Sequence, residues 1–202
     1  MANPNSEYFQ MQSLPHSFRT IASLAVAAAL LVGASTASAQ ATVQVGGMAM
    51  YPAKDIIDNA VNSKDHTTLV AAVKAAGLVD ALKGKGPFTV FAPVNGAFAA
   101  LPAGTVDMLL MPENKAKLAS VLTYHVVAGN YNAAALQRAI KAGKGKATLK
   151  TLAGGTLTAR MNGMRNIQIV DGAGNVANIS TYDVTQSNGV IQVIDRVLMP
   201  GM

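Results

Sequence analysis

The apolar residues change their period near the middle of the chain. From Lys54 they recur at one-face helical spacing, first as Ile56, Ile57, Ala60 and Val61 and then as Leu69, Val70, Val73 and Ala76, which predicts two helices. Gly77 supplies a stop, and Leu78, Val79 and Leu82 form a short further turn closed by Gly84 and Gly86. Phe88-Thr89-Val90-Phe91 reads as a buried strand cut by Pro93. Val106–Leu110 predict a short helix, and Pro112-Glu113 open another that buries Leu118, Val121, Leu122 and His125. Asn132 caps a helix that ends at Gly143. After it the period becomes two. Leu149–Leu152, Leu157–Met161, Ile167–Val170, Val176–Ile179 and Val190–Leu198 read as strands, with Gly154-Gly155, Asn162-Gly163 and Gly172–Asn175 as turns. Helices feeding a strand-rich second half predict an α+β fold with a largely antiparallel sheet, in one domain over residues 54–200.

The start of the chain obeys a different logic. Arg19 precedes the small and apolar run Ile21–Val32, followed by Ala37-Ser38-Ala39. This pattern predicts a secretory signal over residues 1–39, cleaved after Ala39. At 1.5 Å per residue the run covers about 18 Å, too short for a hydrocarbon core of roughly 30 Å. No later segment is long and apolar enough for a membrane helix, so the mature chain is expected to be exported to a periplasm or exterior. Residues 40–53 are small and weakly patterned, which predicts a mobile arm.

Composition narrows the chemistry. The 202 residues include no cysteine, which removes disulfides, thiolate metal sites, cysteine nucleophiles and a thioether-linked lipid. A hydrophobic content of 50% with 13% charged residues excludes intrinsic disorder for the bulk of the chain. The formal charge of +6 is unevenly distributed. Every charge between Glu113 and Asp171 is positive: Lys115, Lys117, Arg138, Lys141, Lys144, Lys146, Lys150, Arg160 and Arg165. The remainder of the chain from residue 40 carries more acids than bases. Arg138, Lys141, Lys144, Lys146 and Lys150 thus form a candidate patch for an anionic partner. No aromatic residue interrupts the cluster, so the stacking platform of single-strand binders is missing and nucleic acid is not expected.

Catalytic constellations are thin. Beyond His16, the histidines are His66 and His125. His66 lies among Lys64, Asp65 and Thr67 and reads as a surface residue. His125 ends an apolar helix face and reads as a residue that bonds a backbone group; the nearest acids in sequence are Glu113 and Asp171. Metal-ligand spacing, a nucleophile elbow and a phosphate loop ahead of a helix are all lacking. Met48-Ala49-Met50 without a neighbouring histidine does not make a copper site. Neither enzyme activity nor a cofactor or metal is expected.

Three segments together are more specific. Gly86-Pro87-Phe88-Thr89-Val90-Phe91-Ala92-Pro93-Val94-Asn95-Gly96-Ala97-Phe98 resembles the first signature box of fasciclin domains. Leu122-Thr123-Tyr124-His125-Val126-Val127 is similar to their tyrosine–histidine motif, and Ser187–Pro200 to their closing box. The resemblance implies a fasciclin-like β-wedge of mainly antiparallel strands with several packed helices. It also implies a non-enzymatic module for cell adhesion or association with a cell surface or matrix. Within the first box, Asn95 is expected to bond the backbone of its own loop. Val94, Gly96 and Gln192 depart from the family's usual threonine or serine, bulkier residue and histidine.

In animal adhesion members an Asp-Ile pair before the closing box is associated with integrin binding, and Asp183-Val184 occupies that place here. Tyr124, His125, Asp183 and Val184 are therefore the candidate interaction residues. The expected partner is a cell-surface or matrix protein or a polysaccharide. A second expectation is a periplasmic binding protein for a small apolar or anionic ligand, with the basic Asn132–Lys146 segment as its lip.

Overall fold

The protein is described by a computed structural model over residues 42–201. The expected signal segment and its cleavage point after Ala39 lie outside the described residues. The fold opens on a hairpin, β1 (Val43–Val45) and β2 (Met48–Met50), where a mobile arm was expected. Gly46 sits at φ 61°, a conformation glycine adopts at no steric cost. Gly46 also backs closely onto residues 63–65, so that an added Cβ would stand 2.7 Å from Ser63 Oγ. Val45 and Met50 are buried in the core. Two strands of three residues carry too short an alternation for a period to be read, and burial at Val45 and Met50 anchors the segment nonetheless.

Three helices follow, α1 (Ile56–Ala60), α2 (Thr67–Ala76) and α3 (Val79–Lys83). Asp55 caps α1 by accepting from the Asp58 N–H at 2.8 Å, and Gly77, left-handed at φ 72°, ends α2 as its position in the sequence implies. Strand β3 (Phe88–Pro93) runs straight into a helix the pattern did not announce, α4 (Asn95–Ala99). Asn95 does not bond its own loop. Its Oδ1 accepts from the Thr68 N–H at 3.0 Å and its Nδ2 donates to the Lys64 carbonyl at 2.9 Å, tying α4 to the start of α2. Helices α5 (Thr105–Leu110) and α6 (Lys115–Tyr124) come next, then β4 (Val126–Ala128) and α7 (Ala133–Ala142). Asn132 caps α7 by accepting from the Ala135 N–H at 2.8 Å. No helix among the described residues is long and apolar enough to cross a membrane.

The remaining strands are β5 (Lys146–Lys150), β6 (Thr156–Asn162), β7 (Asn166–Val170), β8 (Val176–Gln186) and β9 (Gly189–Ile194). They join a seven-stranded sheet in the order β4-β3-β9-β8-β7-β6-β5, parallel only between β3 and β9. A bridge between Val127 and Thr151 brings the two edges of the sheet together. The sheet can fold on itself because β8 bends. Its register shifts between Ile179 and Thr181 and again between Thr181 and Val184, with Asp183 at φ 56°. The result is an α+β wedge.

Two apolar clusters lie on opposite faces of the central strands. One gathers α1–α3, α6 and the hairpin around Val90, Ala92, Ile191 and Val193. The other fills the wedge with Phe91, Tyr124, Leu136, Ile140, Leu157, Ile167, Ile169, Ile194 and Leu198. Successive residues of β3 point to opposite faces, so a strand with a cluster on each side reads as the unbroken apolar run seen in the sequence. Truncating Met50 to alanine should lower stability by about 2–4 kcal/mol. Urea unfolding checks this; an unchanged midpoint would restore the mobile arm.

Candidate functional site

The tyrosine–histidine pair sits at the end of α6, and both side chains are interior. Tyr124 is 1% exposed and His125 2%. The Tyr124 hydroxyl donates to the Thr156 carbonyl at 2.7 Å and accepts from the Gly172 N–H at 2.8 Å. An alanine Cβ at Gly155 would lie 2.7 Å from the tyrosine ring, so the glycine makes the ring's seat. His125 Nε2 accepts from the Leu198 N–H at 2.9 Å, which leaves Nδ1 as the donor to the Val121 carbonyl at 2.8 Å. Both ring nitrogens are thus occupied by backbone, and the ring is neutral. Burial holds its pKa down to about 4, against smaller opposing effects of the Val121 carbonyl and Asp171. The expectation that this pair meets a partner is corrected here: the two side chains staple α6 to the β6 and C-terminal segments and present nothing to solvent.

Asp183 and Val184 fare differently from one another. Val184 is buried at 1% exposure in the first cluster and is removed from the candidate surface. Asp183 is half-buried, and its Oδ1 accepts from the Ala133 N–H at 2.7 Å and from Gln192 Nε2 at 2.8 Å. The Asp183 N–H in turn donates to Gln192 Oε1 at 3.1 Å, while Gln192 Nε2 also donates to the Tyr131 carbonyl at 3.2 Å. Gln192, where the resemblance leads one to expect histidine, therefore fastens the β8 bend to the start of α7. A carboxylate facing the first N–H groups of a helix is favourable electrostatically as well. This is a positioning node within the fold.

The five cations of the candidate patch are all exposed, but they do not share a face. Arg138 and Lys141 lie on the outer side of α7, whose Leu136 and Ile140 pack inward on the wedge. Lys146 and Lys150 alternate with buried Ala147 and Leu149 on β5 and so point to the opposite, outward side of the sheet. Lys144 sits in the turn between them at φ 55°. Arg160 of β6, which the patch had left out, stands directly opposite Lys146. The guanidinium is held by a ladder across the outer face: Arg160 Nε donates to Gln168 Oε1 at 3.2 Å, Gln168 Nε2 to Asn178 Oδ1 at 2.9 Å, and Asn178 Nδ2 to Asp195 Oδ2 at 2.7 Å. Among the described residues the ion pairs involve only Lys83, with Asp55 and Asp58.

His66 is a second correction. It is 3% exposed, with Nδ1 bonded to Ser63 Oγ at 2.8 Å and Nε2 buried without a partner. Burial pushes its pKa down; the Ala92 carbonyl and Asp65 act in the other direction with smaller effect, the carbonyl without completing a hydrogen bond to Nε2. The spacing His66, Leu69, Val70, Val73 carries the signal, since it puts the ring on the apolar face of α2. The charged neighbours Lys64 and Asp65 masked it. The ring lines a cavity of about 80 Å³ between α1–α3 and the sheet. None of the lining residues comes from Asn132–Lys146, so the basic segment is not the lip of this cavity.

A bent, nearly antiparallel wedge flanked by helices, with a buried tyrosine–histidine staple, is an α+β architecture. A family model described as the fasciclin domain matches residues 64–200, and the chain belongs to that family. It is 49% identical over 150 residues to protein sll1483 of Synechocystis, covering 74% of this chain and 76% of that one. It is 36% identical over 189 residues to cell surface glycolipoprotein MPB83 of Mycobacterium bovis, covering 90% and 77%. It is also 36% identical over 166 residues to immunogenic protein MPB70 of the same species, covering 77% and 72%. Its fold matches that of a FAS1 domain pair from the insect cell adhesion molecule fasciclin I with a TM-score of 0.63 at 20% identity. The match covers 72% of this chain and 51% of the pair.

A histidine buried neutral binds fewer protons in the folded than in the unfolded state between about pH 4 and its ordinary value near 6.5. Stability therefore rises with pH through that window and is lost as pH falls, by up to about 3 kcal/mol for His125 alone. Urea unfolding from about pH 7 to about pH 4.5 should show the decline; a flat profile contradicts the buried neutral ring. Asp183→Ala should cost about 1–3 kcal/mol through the lost helix and Gln192 bonds. Asp183→Asn should cost less, because asparagine keeps an acceptor oxygen and tolerates the left-handed backbone. Equal losses in the two variants would refute the bonding role.

Proposed function

We propose that this protein is an exported, non-enzymatic module for adhesion or cell-surface interaction, and that it meets an anionic polysaccharide through the outward face of β5 and β6. The observation that carries the reading is the directly opposed pair Lys146 and Arg160, with Lys150 on the same face. Like charges facing each other across strands destabilise a sheet. Here neither has an ion-pair partner among the described residues. Such a pair is a local cost to folding that an anionic ligand relieves.

The neighbouring outward positions suit a hydroxyl-rich polymer. Thr148 stands opposite Thr158, and Lys150 opposite Thr156. The Arg160–Gln168–Asn178 ladder uses the guanidinium Nε alone, leaving the two terminal nitrogens for a carboxylate or sulfate fork. A catalytic reading has less support, because both nitrogens of His125 are committed to backbone. Export rests on the signal pattern of residues 1–39 and on kinship with a protein named for the cell surface.

The test is retention of the purified protein on immobilised heparin and on alginate over a salt gradient. Replacing Lys146, Lys150 and Arg160 by glutamate should weaken binding by at least about tenfold, with greater sensitivity to salt in the parent. Far-ultraviolet dichroism should not change. Replacing Arg138 and Lys141, on the other side of the wedge, should have a smaller effect. Undiminished retention of the triple variant would remove the β5–β6 face from the proposal.

A further inference from the structure

We propose that the cavity under α2 is a binding site for a slender, uncharged alkyl molecule that ends in a hydroxyl group, the hydroxyl bonding His66 Nε2. The site is independent of the basic face. Its walls are supplied by α1–α3, β3, β9 and the hairpin, and residues such as Val45, Met50, Leu69 and Val73 make them apolar. Three buried polar side chains reach it. His125 has both ring nitrogens bonded to backbone, and Ser63 Oγ is bonded to His66 Nδ1. His66 Nε2 alone is left without a partner.

That orphan nitrogen is the informative feature. A buried polar atom without a partner is costly, and native structures rarely keep one without a reason. The bond between Ser63 Oγ and Nδ1 can run in either direction, so Nε2 is either donor or acceptor. A hydroxyl satisfies both cases, since it donates and accepts. An ionised carboxylate is disfavoured in these apolar surroundings, where the imidazole is neutral and supplies no countercharge.

Shape sets the rest. The volume of about 80 Å³ is well under the roughly 150 Å³ of an apolar cavity that accepts benzene, so it encloses only the head of a slender chain, whose remainder must extend through the opening. His66, Leu69, Val70, Val73 and Lys74 follow one another along α2 on the cavity side. From the first to the last the helix rises about 12 Å. Val61, 47% exposed, half-buried Val70 and exposed Lys74 mark the open end. The hydroxyl thus goes in first and the tail lies toward the rim.

The experiment is an amide-resolved NMR titration of the protein with hexan-1-ol, 1-fluorohexane and hexanoate as probes. Hexan-1-ol should shift resonances of α1 and α2 and the His66 ring, with an affinity about tenfold above that of 1-fluorohexane, which matches it in shape but bonds poorly. His66→Leu should erase that tenfold preference while its thermal midpoint stays at or above that of the parent. Val70→Phe, a rim substitution that closes the opening, should abolish the shifts for both neutral probes and keeps the test valid if His66→Leu fails to fold. The proposal is overturned if no probe shifts α2, or if alcohol and fluoride bind alike in the parent. Hexanoate binding tighter than the alcohol would also overturn it, because it would put the head group at Lys74.

Discussion

The fold depends on a central pair of strands that are covered on both faces. Strands β3 and β9 run parallel with a helix-bearing cluster on one side and the wedge interior on the other. Any polar side chain on them must find its partners inside the protein. Thr89, fully buried, donates from Oγ1 to the Gly129 carbonyl at 2.6 Å and accepts from the Tyr131 N–H at 2.8 Å. Gln192, also fully buried, reaches the Tyr131 carbonyl and both ends of Asp183. Two buried polar residues on the central strands thus pin the loop that leads into α7. Asp183, at the bend of β8, receives the first free N–H of that helix. The bend, the helix and the closure of the wedge are consequences of one requirement, that no polar group on the central strands be left unpaired.

The two buried histidines show what that requirement means when it is met and when it is not. His125 is bonded at both nitrogens, and its ring works as a rigid spacer between α6 and the C-terminal segment. His66 is bonded at one nitrogen and faces a cavity with the other unpaired. The same residue type under similar burial is saturated in one place and incomplete in the other. A residue that costs stability where an apolar one would fit is where a fold departs from its own rules, and such departures tend to coincide with binding.

The outward face of β5 and β6 follows a different economy. It is solvated, so its charges do not need partners inside the protein, and the opposed Lys146–Arg160 pair is only a modest cost to the sheet. What makes it notable is the alignment of Lys146 with Arg160 and the restraint of the guanidinium by Gln168. The chain's cations were conspicuous in the sequence as one uninterrupted stretch. In the fold that stretch crosses from the outer side of a helix, through a turn, to the far side of a sheet.

The family, the alternation of helices and then strands, the caps at Asn132 and Gly77 and the buried character of β3 were all legible along the chain. Each rests on residues close in sequence, where period, capping chemistry and backbone preference act locally. The hairpin at Val43–Met50 and helix α4 were not, because each is short and is held by distant contacts, the hairpin through Val45 and Met50 in the core and α4 through Thr68 and Lys64. The same reason separates the site residues. Sequence named Tyr124, His125, Asp183 and the cations as residues of interest, and spacing alone placed Asn132 at its cap. Tertiary structure decided that Tyr124, His125 and Val184 face inward, that Asp183 holds a helix, that the cations divide between two surfaces and that His66 borders a cavity. Burial and pairing are properties of what comes to lie across from a residue, and that is set by the folding of segments far apart in the chain.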